Sequence, residues 1–184
     1  ELKKALLGPG EVFYTEKAQR TFELGRSLSM SKPDEGLDKY QEALSLEPGN
    51  LKILKELARG HLYKGDCAKT LEISKDALLQ NPYSADFFLL RMQAKACLGN
   101  IEDWDAELAN PFVDKEQISS FLDTVKAQYF YSQEKFMLAA SALSKVKLTK
   151  FPEAYYWRGL ARTKMSQSPQ ADYEMYVELC KEQK

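Results

Sequence analysis

The sequence predicts an all-helical array of two-helix repeats, and three observations carry that expectation. Identities recur at a spacing of 34 positions, helix-period apolar residues alternate with glycine- and proline-marked breaks, and only 9 Gly and 7 Pro occur among 184 residues. The 34-residue shift superimposes Ala43 on Ala77, Leu44 on Leu78, Pro48 on Pro82, Leu54 on Phe88 and Gly65 on Gly99. Further along it carries Asp123 to Trp157 and Ala127 to Ala161. Core positions and breaks thus repeat together, as expected when each period is one supersecondary unit that buries its apolar face on its neighbours.

Composition narrows the function classes. Lys and Arg number 26 against 27 Asp and Glu, giving a net charge of -1, so the basic excess of a nucleic-acid binder is absent. No apolar run approaches the roughly 18 residues of a membrane span, and none is expected. Cys67, Cys97 and Cys180 are odd in number and far apart, a poor disulfide framework and a poor metal site. The expectation is reduced thiols packed as small hydrophobes, with a lean toward a reducing, cytoplasmic compartment. The chain opens on Glu1 without a signal-peptide pattern, as expected of a processed product or an excised piece of a longer protein.

The segment 51–84, LKILKELARGHLYKGDCAKTLEISKDALLQNPYS, holds one period. Leu54, Leu57, Ala58, His61 and Leu62 follow helical spacing until Gly65 and Asp66 interrupt it; Leu71, Ile73, Ala77 and Leu78 then form a second helical pattern stopped by Asn81 and Pro82. On these residues the segment resembles a tetratricopeptide repeat (TPR). Leu54, Leu57, Ala58, Gly65, Ala77 and Pro82 fill signature positions of that family, while His61, Thr70 and Ser74 stand where it prefers an aromatic, an Ala and a Phe or Tyr. Small residues are needed where helices approach to about 8–10 Å between axes. Ala58 is placed where helix A meets helix B, Ala77 where helix B meets the next helix A. The resemblance implies a right-handed superhelical solenoid of about five such repeats.

The remaining elements follow in order. Residues 1–17 hold a short N-terminal helix, cut off by Gly8, Pro9 and Gly10, and the start of the first repeat helix. The repeats are expected at about 18–50, 51–84, 85–113, 114–152 and 153–184. In the first, Pro33 opens helix B, where its missing N–H costs nothing. The third begins after Ser84 as N-cap; its helix B, from Ile101 to Ala109, carries Trp104 in place of Ala and is truncated by Asn110 and Pro111, so it is expected to be the least regular unit. The fourth opens at Asp114 with Gln117 as capping-box partner, and helix B of the fifth follows Ser168 and Pro169 as N-cap and first helical residue.

Catalytic chemistry needs convergent titratable groups, and His61 is the sole histidine, at a packing position. No HExxH, phosphate-binding loop, CxxC or GxSxG occurs; no enzyme activity, cofactor or metal is expected. Glu102, Asp103, Asp105, Glu107, Asp114 and Glu116 read as a solvated face, with a contact for a basic partner as the alternative. Among the aromatics, Phe130 and Trp157 fall on core positions, whereas Tyr131 and Tyr155 project from the other face of helix A as candidate contacts.

The resemblance implies an interaction scaffold or adaptor that holds an extended or helical partner segment along helix A within a larger assembly. The family's clamp for a C-terminal carboxylate is missing: its places hold Phe22, Arg26, Glu56, Asp86 and Leu90. Counted from the small residues Gly25, Ala58, Ala127 and Ala161, the open positions are Phe22 and Arg26, Lys55 and Arg59, Thr124 and Gln128, Arg158 and Arg162; one turn earlier lie Lys52, Phe121 and Tyr155. Five of the first eight are cationic and none is anionic, so an acidic partner segment is expected. The alternative is a structural module: Tyr173 and Tyr176 lie on a last helix with no later helix to cover it, which invites self-association or further repeats. An RNA-binding reading has neither charge excess nor a repeated base-reading pair behind it.

Overall fold

A computed structural model of the chain describes residues 10, 12–101, 104–108, 115–144 and 152–182, with the backbone alone at 105, 108, 115–117 and 182. The described residues contain helices and no strand. The expected N-terminal helix before Gly10, Asn110–Pro111, Asp114 and most of the acidic cluster lie outside them. So does the side chain of Gln117.

The chain divides after Leu98 into two compact units. The first contains α1 (Glu16–Leu28), α2 (Pro33–Leu46), α3 (Leu51–Tyr63), α4 (Cys67–Gln80) and α5 (Ala85–Cys97). Each packs on its successor, and α3 also packs on α5, as alternating A and B helices should. The second contains α6 (Trp104–Leu108), α7 (Lys115–Ser132), α8 (Phe136–Ser144), α9 (Pro152–Lys164) and α10 (Gln170–Glu182), with α9 packed on α7, α8 and α10. The two helices of the expected third repeat therefore belong to different units, and α6 has only 5 residues.

Local chemistry accounts for the helix ends. The Thr15 hydroxyl accepts from Ala18 N at 3.2 Å, Asn50 Oδ1 from Lys52 N and Ile53 N, and Asp66 Oδ1 from Lys69 N. Pro33 is the first residue of α2. Ser84 occupies the N-cap of α5 without making the side-chain bond. The start of α10 departs from expectation: Gln170 is its first residue, and the carbonyl of Pro169 accepts from Asp172 N and Tyr173 N, so Pro169 precedes the helix. Gly65 ends the α3 turn at φ +80, a left-handed conformation that Glu134 and Ser166 adopt in the second unit.

The first unit's core joins Phe22, Tyr40, Leu51, Ile53, Leu54, Leu57, Ala58, Ile73, Ala77, Phe87 and Leu90. Ala58 and Ala77 are fully buried, and the Thr70 hydroxyl reaches the Ala58 carbonyl at 3.1 Å, showing how closely α4 approaches α3. Gly25 serves the same purpose between α1 and α2, because a Cβ there would sit 2.8 Å from the Tyr40 ring. In the second unit Ala127, Ala139, Leu143, Ala154 and Ala161 are buried together, with Phe130, Tyr131 and Trp157 against them.

The N-terminal lead is tied down by Glu47. Its Oε1 accepts from Tyr14 N at 2.7 Å, Thr15 N at 2.6 Å and the Thr15 hydroxyl, and its Oε2 from Asn50 Nδ2 at 2.9 Å. Burial works against the charged form, but these donors outweigh it and hold the carboxyl below its ordinary value.

The cysteine expectation is corrected. Cys67, first in α4, and Cys97, last in α5, form a disulfide with Cα atoms 6.1 Å apart; Cys180 alone is free. Residues 30 apart in sequence meet because α4 and α5 run antiparallel, so the end of one lies beside the start of the other.

Candidate functional site

In the first unit the face formed by α1 and α3 is built upward from Phe22. Its ring, 1% exposed, lies 5.1 Å from Phe13 and 5.5 Å from Tyr40. The expectation that Phe22 lines an open groove is therefore corrected: the lead residue Phe13 covers it. Lys52 completes the cover, its ammonium 5.4 Å from the Phe13 ring centroid and 5.6 Å from that of Phe22.

Lys55 and Arg59 lie one turn apart on α3. Lys55 Nζ meets Asp86 Oδ2 at 2.9 Å, and Arg59 meets Glu56 at 3.0 Å and Asp86 Oδ1 at 3.8 Å. Two cations are thus answered by two carboxylates, one of them from the first turn of α5. The all-basic wall expected here is a mixed-charge network, because Glu56 and Asp86, which stand at two of the carboxylate-clamp places, answer the two cations. Arg26 is exposed and pairs with Glu23 at 3.4 Å.

On α7 of the second unit Phe121 and Gln128 are half-buried, and Thr124 is buried with its hydroxyl on the Ser120 carbonyl. Tyr155 is also buried, at 9% exposure, under the guanidinium of Arg158 5.2 Å from its ring. Its expected place as an exposed contact is corrected by that cover. Tyr131 is half-buried, edge-on to Phe136 and Trp157.

Arg158 and Arg162 are the residues the structure brings together most clearly. Arg158 donates from Nε at 2.9 Å and Nη2 at 2.6 Å to Asp172 Oδ1, while Arg162 Nη1 donates to Oδ2 at 2.8 Å. Asp172 is 1% exposed; the side chains of Arg158 and Arg162 are 15% and 35% exposed. One buried carboxylate from α10 therefore fixes two guanidiniums on α9. Asp172 was not among the expected site residues. The signal for it was an acid in the first turn of a helix B, which reads equally well as a partner for the helix dipole.

On α10, Tyr173 and Tyr176 are half-buried by their own unit. Both rings lie beside Tyr156, at 6.3 and 5.5 Å, and a Cβ at Gly159 would meet the Tyr173 ring at 2.6 Å. The Cys180 thiol, one turn along α10, raises the Tyr176 phenol above its ordinary value. The outer side of α10 forms a shallow groove lined by Pro169, Tyr173, Val177 and Lys181. Among the described residues no group of three or more His, Cys, Asp or Glu is arranged to hold a metal, and no helix is long and apolar enough to cross a membrane.

Comparison with solved structures agrees with this architecture. A thermophilic TPR protein of Thermus thermophilus superposes with a TM-score of 0.67 at 20% identity, over 88% of this chain and 91% of that one. MamA of Desulfovibrio magneticus, from residue 41 to its end, superposes with a TM-score of 0.57 at 14% identity, covering 92% and 96% of the two chains. A further MamA structure gives 0.55 at 17% identity over 89% and 92%. No protein-family model and no curated protein matches the sequence. At these identities the likeness establishes the fold.

Proposed function

We propose that this chain, whose fold is that of the TPR proteins, is a protein–protein interaction scaffold that holds a partner segment against the helix A faces of its repeats. The observation that carries this reading is the arrangement of polar side chains within each unit: Lys52, Lys55 and Arg59 stay solvent-accessible on α3 of the first, and Gln128 and Arg162 on α7 and α9 of the second, each set beside buried aromatic and aliphatic residues of its own unit. Rigid helices presenting charged groups over an apolar floor suit the capture of a peptide segment in a preformed site. An acidic segment fits best, because Arg158 and Arg162 set two guanidinium charges against the one carboxylate of Asp172.

The test is a binding measurement on an identified partner with Lys55→Glu and Arg59→Glu combined. Affinity is expected to fall at least about tenfold at low salt, with unchanged helical circular dichroism. Unchanged affinity removes α3 from the binding face. A structural role through α10 is the second reading, supported by Val177, 49% exposed in the groove on that helix; a concentration-dependent dimer in light scattering supports it, and a monomer at all concentrations opposes it.

A further inference from the structure

We infer that Arg158 and Arg162, held in register by Asp172, form a preorganised receptor for a carboxylate side chain of the partner, and that this pair rather than Lys55 and Arg59 anchors the acidic segment; the inference rests on the reading of the helix A faces above. In the first unit each of Lys55 and Arg59 is already answered, since Asp86 and Glu56 supply one carboxylate per cation. An incoming acid there must displace Asp86 before it gains anything. In the second unit two guanidiniums share the single carboxylate of Asp172, and neither pairs with a second acid among the described residues.

The geometry adds to the charge count. Asp172 takes Nε and Nη2 of Arg158 and Nη1 of Arg162, and the other N–H donors of both guanidiniums have no acceptor among the described residues. Both side chains are partly withdrawn from water, so the residual charge is screened less than that of a surface lysine. Their conformations are fixed by the buried acid and, for Arg158, by the Tyr155 ring, so little ordering entropy remains to be lost on binding. Lys52 also has no carboxylate partner among the described residues, but its ammonium rests over two rings and offers a point charge with no planar fork. The surplus at the arginine pair is a single charge, which matches one carboxylate better than a run of phosphates, whose neutralisation calls for several cations.

The experiment uses the full chain and a hexaglutamate peptide blocked at both ends, titrated at low salt while the side-chain Nε–H signals of the arginines are followed by NMR. The Arg158 and Arg162 signals are expected to shift, and Arg162→Gln should weaken binding at least about tenfold, with Arg162→Lys intermediate because a fork becomes a point charge. The combined Lys52→Gln, Lys55→Gln, Arg59→Gln variant should weaken binding less than Arg162→Gln does, because Asp86 and Glu56 already answer Lys55 and Arg59. Arg162 is the less buried of the pair, and an unchanged thermal transition checks that its variants are folded. Loss of binding in the triple variant with retention in Arg162→Gln overturns the inference and leaves the reading of the helix A faces standing. Equal losses in both overturn the assignment to the arginine pair. Binding unaffected by either set overturns both readings, and tighter binding of a single-stranded oligonucleotide than of hexaglutamate overturns the choice of ligand.

Discussion

Arg158 donates two hydrogen bonds to one oxygen of Asp172, from Nε at 2.9 Å and from Nη2 at 2.6 Å, across the packed surface of α9 and α10. With Asp172 buried, the pair closes the last two helices on each other while aligning Arg162 on the second oxygen. Asp172→Asn is expected to destabilise the second unit by about 3 kcal/mol, because it leaves guanidinium charge buried without its counter-charge. Urea unfolding followed by circular dichroism measures this. A loss under about 1 kcal/mol would mean the arginines swing out to water at little cost.

Glu47 predicts an acid-labile N-terminal lead. Its carboxyl is held below the ordinary 4.5, so the stability it contributes is present above that value and is lost as pH falls through the lower folded value. The protection of the Tyr14 and Thr15 amides against exchange, relative to the intrinsic rate at each pH, should fall on acidification below about pH 4.5, before the core of α3 and α4 opens. In Glu47→Gln the acid-dependent step should disappear, and its persistence would assign it to another group.

The Cys67–Cys97 disulfide closes a loop spanning α4 and α5. Reduction is expected to lower stability by about 3 to 4 kcal/mol by loop-closure entropy. Thermal melts with and without reductant check it, with Cys67→Ser as the variant that should no longer respond. A melt indifferent to reductant in the unsubstituted chain would count against the bond.

Much of the fold was legible in the sequence because it rests on local, periodic features. Ala58, Ala77 and the break at Gly65 recur with the repeat and determine helix contacts whatever the neighbours are. Pairings between helices were less legible. Asp172 and Asp86 reach Arg158 and Lys55 from other helices, and no spacing along one helix announces them. Phe22 shows the same gap, since helix A geometry placed it on an open face and Phe13, from outside the repeat, covers it. The cysteines misled for a related reason: separation in sequence says little about two helix ends brought side by side by antiparallel packing.

The claim that partners bind on the helix A faces is tested most directly by site-specific photocrosslinking in the cell of origin. A photoreactive residue is placed at Lys52 or Gln128 on the A helices, or at Lys75 or Met137, which are exposed on the B helices α4 and α8. The account predicts one discrete partner adduct from Lys52 and Gln128, lost at high salt, with Lys75 and Met137 giving none. Adducts from Lys75 and Met137 with none from the A-helix positions would contradict it.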